Sequence, residues 1–248
     1  MGWPEGYGRR VLKTVDSTNA EAARLAAGLM GPMWILALSQ TAARGRRGRP
    51  WVMPEGSFAA TLVLRPTEPP NVVALRSFVA ALALHEAFVV ATGRTEGLAL
   101  KWPNDVLLNG GKVAGILLET LGVRQGVQQL AIGVGVNLQN APAAQDIEPG
   151  AIAPVSLLSA TGVAVTPEAF LDILAECYAK IEAMFTTYGF APVREAWLLR
   201  AARLGETVIA RTGTAEITGR FETVDEAGHL VLTTPKGRER IAAADVFF

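Results

Sequence analysis

Two short stretches of this chain carry residue types suited to holding anions. Residues 43–51 read ARGRRGRPW and set Arg44, Arg46, Arg47 and Arg49 among Gly45, Gly48 and Trp51. Guanidinium groups are planar forks that grip carboxylate or phosphate oxygens two at a time, and glycines let the backbone come close or turn through positive φ. Composition leaves two readings of this loop open, a solvated arginine-rich loop and a site for one small anion. Residues 101–119 read KWPNDVLLNGGKVAGILLE. Lys112 opens an apolar strand, where partial burial would make its ammonium a fixed positive end for a ligand. Gly115, three residues on and so expected on the opposite side of the pleat, marks a close approach to the backbone. Asn104-Asp105 and Gly110-Gly111 are equally well explained as turn chemistry, with Lys101 and Lys112 as edge charges.

Weaker signals accompany these. Gly133-Val134-Gly135-Val136-Asn137 lacks the third glycine and the following helix of a dinucleotide fingerprint, yet two glycines inside a strand invite contact with a ligand. Ser17-Thr18-Asn19 reads first as helix capping, Thr18 serving as N-cap and Glu21 as its reciprocal partner; a cap also leaves free N–H groups where a polar ligand could sit. His85 reads as a core or boundary histidine, and Cys177 as a packed thiol. With His229 they are too few for a zinc site or a Cys-His pair.

Lys+Arg and Asp+Glu both number 23, so no global basic field exists to draw in nucleic acid or an anionic membrane. The uncharged run of interest, residues 25–43, is broken by Gly28, Gly31, Pro32 and polar residues, so no membrane span is expected, and without an apolar h-region near the N-terminus no signal peptide is expected either. A single cysteine fits a cytoplasmic protein.

The elements that must position these residues follow from periodicity. A helix is predicted from Thr18 to about Gly28, and strands over 34–39 and 58–64 on either side of the arginine loop. A long apolar helix over 72–92 stops at Gly93. Strands over 98–102, 106–108 and 113–120 form hairpins, followed by a strand over 129–138 and a loop over 140–150. Helices follow over 167–188, capped by Thr166, and over 192–202, whose Trp197-Leu198-Leu199 run is expected to face the core. From Gly205 onward, short alternating runs suggest a small barrel of four or five strands, so the chain divides into residues 1–203 and 204–248.

Taken in order, Ser17-Thr18-Asn19, Gln40 before ARGRRGRPW, the KWPND-to-LLE block, GVGVNL and a small C-terminal barrel resemble the biotin protein ligases, in the short form without an N-terminal DNA-binding domain. That family usually has glycine where this chain has Ala43. The resemblance implies an α+β fold: a central mixed β-sheet flanked by helices, like the class II synthetases and lipoate ligases, with a C-terminal SH3-like domain. It implies that biotin and Mg-ATP give biotinyl-5′-AMP, whose biotin passes to a lysine of the carrier protein of acetyl-CoA carboxylase. Lys112 would contact the biotin carboxylate. Arg46, Arg47 and Arg49, with Arg44, Gly45 and Gly48, would close over the adenylate, and Trp51 would pack on adenine. Ser17, Thr18 and Gln40 would hydrogen-bond the ureido ring, Asn19 would belong to the same substrate-binding set, and Gly115 and Ile116 would border the pocket. Asn104 and Asp105 would lie on the nucleotide, metal and acceptor-lysine side, Asp105 orienting or deprotonating that lysine, and Asn137 would lie on the nucleotide or metal side. Metal ligands stay unassigned, and the oligomer is open between monomer and homodimer. The competing readings are a lipoate or octanoate ligase or transferase on the same fold, and a non-catalytic nucleic-acid-binding protein.

Overall fold

The computed structural model describes residues 2–124, 127–143 and 151–248. Seven strands form one mixed sheet: β1 Gly8–Leu12, β2 Met33–Ala37, β3 Phe58–Leu64, β4 Leu98–Lys101, β5 Asp105–Leu108, β6 Gly111–Arg124 and β7 Val127–Val136. Their spatial order is β1-β2-β3-β7-β6-β5-β4. Only β1 and β2 run parallel; every other neighbouring pair is antiparallel. Of the loop expected over 140–150, residues 144–150 lie outside the described residues.

The central strands β2, β3 and β5 are buried on both sides, and alternation divides their residues between the two faces. Trp34, Leu36, Phe58, Ala60, Leu62, Ala114, Ile116, Ile132, Val134 and Val136 face one side and join the main core. Helices α3 (Arg76–Thr92) and α5 (Pro167–Tyr188) cover that side. Edge-to-face pairs Trp34–Tyr178 and Phe58–Phe170 seat α5 on the sheet, with ring centroids 5.9 and 5.2 Å apart. On the other side α1 (Thr18–Leu25) covers Ile35, Val63 and Ala131, with Leu12, Met33 and Leu121 packed around them. The remainder of that face is left for the site.

The second sheet holds β8 Thr207–Arg211, β9 Glu216–Val224, β10 Leu230–Thr234, β11 Gly237–Ile241 and β12 Asp245–Phe247, antiparallel in the order β11-β10-β9-β8-β12. This is the SH3-like part. Its Val208, Phe221 and Leu232 belong to the same apolar cluster as the helices. The Trp102 indole N–H donates to Gly228 O across the junction at 3.1 Å.

Several sequence expectations need correction. β1 had no signal of its own, because three of its five residues are exposed and its parallel partner is distant in sequence. The capping box at Thr18 does not form: Ser17 is the N-cap, and the Thr18 hydroxyl is buried against Gln40 and Thr61. The helix over 72–92 is two, α2 (Pro70–Val73) and α3, broken at Ala74-Leu75. The last catalytic-side helix, α6, spans Phe190–Leu198; it buries Trp197 but leaves Leu199, just past its end, 86% exposed. α5 keeps its Thr166 cap, whose hydroxyl accepts from Ala169 N, and its Gly189 stop. The short helix α4, Leu157–Thr161, had not been foreseen.

Candidate functional site

The open face of the sheet presents its residues in ladder rows. One row runs Lys101, Asp105, Gly115, Gly135, Ala59 across β4, β5, β6, β7 and β3. The next runs Leu117, Gly133, Thr61. Small residues at the middle of each row leave a flat floor.

Lys112 reaches this face through an irregularity. Val106 pairs with Ala114 but Leu107 pairs with Lys112, so Val113 is an extra residue, a β-bulge. Simple alternation would put Lys112 and Gly115 on opposite sides. The bulge brings them together, and a Cβ on Gly115 would lie 3.4 Å from Lys112 Cε. Asn137 buttresses the bulge: its backbone N–H donates to Val113 O at 2.9 Å and its side-chain amide to Lys112 O and Val155 O at 3.3 and 3.2 Å. Asn137 therefore positions Lys112 from behind, while its buried Oδ1 has no partner among the described residues.

Lys112 Nζ pairs with Asp105 Oδ1 at 2.8 Å, and Lys101 Nζ lies 3.7 Å from Asp105 Oδ2. Burial disfavours the charged form of Lys101 and lowers its pKa, against the pull of Asp105. Asn104 is tied to the floor through Ile116 O at 2.7 Å, and its Oδ1 accepts from Arg46 at 3.3 Å. Ile116 contributes backbone here; its side chain belongs to the opposite face.

At the other end, α1 delivers Thr18 and Asn19 over Gly133. A Cβ on Gly133 would collide with Asn19 Oδ1. The Thr61 hydroxyl stands 2.6 Å from Asn19 Oδ1 and 2.8 Å from Thr18 Oγ1. With one proton, Thr61 donates to the Asn19 carbonyl oxygen and accepts from Thr18. Asn19 Nδ2 donates to Glu119 at 2.6 Å, and Thr18 N–H donates to Gln40 Oε1 at 2.7 Å. Thr18, Asn19 and Thr61 are buried, so this part of the polar chain is locked in place.

The arginine loop roofs the floor. A short 3-10 turn, Arg46–Gly48, is its crest. Trp51 lies on the floor glycines: a Cβ on Gly135 would meet its ring at 2.7 Å and one on Gly115 at 3.1 Å. Lys112 Nζ is 5.5 Å from the ring centroid. Arg44 turns back to Glu119 at 3.3 Å. Arg47 and Arg49 reach Asp245 on β12. Floor and roof enclose a pocket of about 470 Å³, a size typical of small-molecule sites.

Of the residues to which the resemblance gave a role at the site, all line this pocket except Gly48, which only turns the loop with φ 72°. The lining holds seven cationic side chains against Asp105 and Asp245, so the space favours an anion. Sequence reasoning missed Thr61, Glu119 and Asp245. Thr61 carried a legible signal, as the sole polar residue of the apolar strand FAATLVL. Among the described residues no three His, Cys, Asp or Glu side chains cluster as a metal site would require. Residues Pro70–Thr92 are long and apolar enough to cross a membrane, but α3 forms the core. His85 and Cys177 are buried away from the pocket, as expected.

Residues 7–137 match the Biotin/lipoate A/B protein ligase family and residues 204–248 the Biotin protein ligase C terminal domain. The chain is 60% identical to a biotin–[acetyl-CoA-carboxylase] ligase of Paracoccus denitrificans, covering 96% of this chain and 99% of that one. It is 33% identical to the bifunctional ligase/repressor BirA of Bacillus subtilis, covering 86% of this chain and 65% of the relative. Among solved structures, the biotin protein ligase from Aquifex aeolicus in complex with biotin and ATP superposes with a TM-score of 0.83 at 26% identity, covering 96% of this chain and 97% of that one.

Proposed function

The chain belongs to the Biotin/lipoate A/B protein ligase family, and from that premise we propose how its residues carry out the family's chemistry. The reaction is that of a biotin–[acetyl-CoA-carboxylase] ligase. The biotin carboxylate attacks the α-phosphate of ATP, pyrophosphate leaves, and biotinyl-5′-AMP forms. A lysine amine of the biotin carboxyl carrier protein then attacks the acyl carbon, AMP departs, and an amide remains. No covalent bond to the enzyme is required, so the protein's task is to hold two anions together and keep water away.

The observation that carries the residue assignments is the ladder row of Lys101, Asp105, Gly115 and Gly135 beneath a roof of arginines, with Lys112 brought in by the bulge. Biotin's ureido ring lies by Thr18, Asn19 and Gln40, where paired donors and acceptors suit a cyclic urea; Ser17 lines the same end. The valeryl chain runs from that end toward Lys112, which meets the carboxylate. Positive charge fixed there and on Arg46 offsets the repulsion between carboxylate and α-phosphate and stabilises the charge that builds up on the phosphate in the transition state. Trp51 gives the adenine a flat apolar partner. Asp105 orients the incoming lysine, and as a carboxylate it is suited to accept that amine's proton.

Magnesium enters as part of the Mg-ATP substrate. Magnesium keeps its waters and is held mainly by phosphate oxygens with one or two carboxylates, a demand that Asp105 fits without a dedicated cluster. We divide the chain at residues 203 and 204, in support of which all strands of the second sheet begin at or after Thr207. The buried, unpaired Cys177 supports a reducing cytoplasm.

Biotin-dependent exchange of pyrophosphate into ATP, followed by transfer to a purified carrier domain, tests the assignment. Exchange driven by lipoate in place of biotin would overturn it.

A further inference from the structure

Asp245 stands on β12 of the second sheet, 198 residues from the arginine loop of the first. Its Oδ2 accepts from Arg47 at 2.8 Å and from Arg49 at 3.0 Å, and its Oδ1 lies 3.8 Å from Arg46. One carboxylate thus faces three guanidinium groups. Its side chain is only 19% exposed, so salt screens this cluster less than it screens an open surface pair. All four residues line the pocket.

The backbone of the loop gives a second, independent observation. Arg47 has φ 56° and ψ 25°, a left-handed conformation that a non-glycine residue keeps only where its surroundings hold it. Gly48 follows at φ 72° with nothing within 4 Å of a Cβ position, so packing does not support the crest from that side. What holds it is the Gly45 N–H to Arg49 O bond at 2.7 Å, the Arg49 N–H to Arg46 O bond at 3.2 Å, and the ion pairs to Asp245. Arg46 is the most buried of the three arginines that face Asp245; burial lowers its pKa, and Asp245 is the largest influence restoring its charge.

We propose that Asp245 is a positioning residue that fastens the arginine loop over the adenylate, so that the C-terminal module sets how long biotinyl-5′-AMP stays bound before an acceptor lysine arrives. The inference rests on the reading that this loop covers the adenylate. Three like charges in four residues repel one another, and Asp245 offsets that repulsion at the crest. Arg46 lies farthest from Asp245 and also touches Asn104, so it turns to the phosphate. Arg47 and Arg49 keep their carboxylate.

The test uses the whole enzyme as Asp245→Asn, Asp245→Glu, Arg47→Gln, the Asp245→Asn/Arg47→Gln double variant, and Arg46→Gly as reference. Enzyme preloaded with labelled biotin and ATP is chased with unlabelled biotin. The half-life of bound biotinyl-5′-AMP is read together with labelling of serum albumin lysines. Asp245→Asn is expected to shorten the half-life about tenfold, the scale of losing charge-assisted hydrogen bonds, with a smaller loss of maximal pyrophosphate exchange. Asp245→Glu restores retention, and the double variant releases no faster than Asp245→Asn alone. A wild-type half-life in Asp245→Asn, tighter ATP binding in that variant, or additive effects in the double would overturn the proposal. Should Asp245→Asn not fold, by its melting curve, Arg47→Gln tests the same contact from the loop side and must leak on its own. If Arg46→Gly retains adenylate like wild type, the reading of the loop itself fails; if Arg46→Gly leaks and Asp245→Asn does not, only the role of Asp245 fails.

Discussion

Lys112 Nζ and Asp105 Oδ1 are 2.8 Å apart on neighbouring strands, and Lys101 approaches the other oxygen of the same carboxylate at 3.7 Å. The arrangement lets Lys112 turn away to a ligand without stranding Asp105, which keeps Lys101 as its counter-charge. Removing one partner of a pair with no substitute would leave a poorly solvated charge, an expensive state. A three-membered cluster avoids it.

Lys112→Ala is therefore expected to reduce biotin-dependent pyrophosphate exchange by about 10²- to 10³-fold, the range for losing one transition-state electrostatic contact. Asp105→Asn should keep more of that exchange and lose more of the transfer to a carrier lysine. Measuring both half-reactions on each variant checks the division. A Lys112→Ala enzyme that exchanges at the wild-type rate removes Lys112 from the assignment.

The floor glycines make a graded prediction. A methyl group on Gly135 would meet the Trp51 ring at 2.7 Å, and one on Gly115 would meet it at 3.1 Å. Neither glycine has a positive φ, so alanine fits the backbone and the effect is one of space alone. Gly135→Ala should raise the KM for ATP more than Gly115→Ala does, with Trp51 fluorescence shifted in the first. Equal effects would show that Trp51 moves freely off the floor.

Thr61→Val keeps the shape of the side chain but leaves the Asn19 carbonyl oxygen without its donor. An unsatisfied buried acceptor costs about 1–3 kcal/mol. Some of that appears as lost stability in urea, and some as roughly a tenfold rise in the KM for biotin with the KM for ATP little changed. A stability loss with no change toward biotin would make the Thr18–Thr61–Asn19 chain purely structural.

How far the site could be read in advance depended on the kind of signal. The KWPND and GGK turns, the Gly93 and Gly189 stops and the Thr166 cap follow from local chemistry and were legible. The same-side placement of Lys112 and Gly115 was not, because a bulge exists only in the register of one strand against another. Thr18 was misread for a related reason. A hydroxyl at a helix start suits a cap until the fold supplies a buried Thr61 and Gln40 beside it. Asp245 lay wholly out of reach, since nothing in residues 245–248 indicates that they return to a loop near residue 47.

His85 gives a pH prediction. Burial, with Arg200 adding to it and Glu86 opposing, lowers its pKa below the usual 6.5. Between the lowered value and 6.5 the unfolded chain binds the proton that the folded chain refuses, so stability rises with pH through that window. The contribution is complete above 6.5 and is lost as pH falls through the folded value. His85→Leu should flatten this part of the curve, read from urea midpoints between pH 5 and pH 7.5. An unchanged slope would show that His85 is not the group responsible.

The 198 residues that separate Arg47 from Asp245 are also an interval in time. At about 5–20 residues per second, synthesis of the intervening chain occupies roughly 10–40 seconds. Over that interval the growing polypeptide acquires the strands, glycines and lysines of its binding floor while the arginine crest still waits for its carboxylate. On the proposed role of Asp245, emergence of β12, rather than formation of the first sheet, marks the moment at which the arginine crest gains its carboxylate.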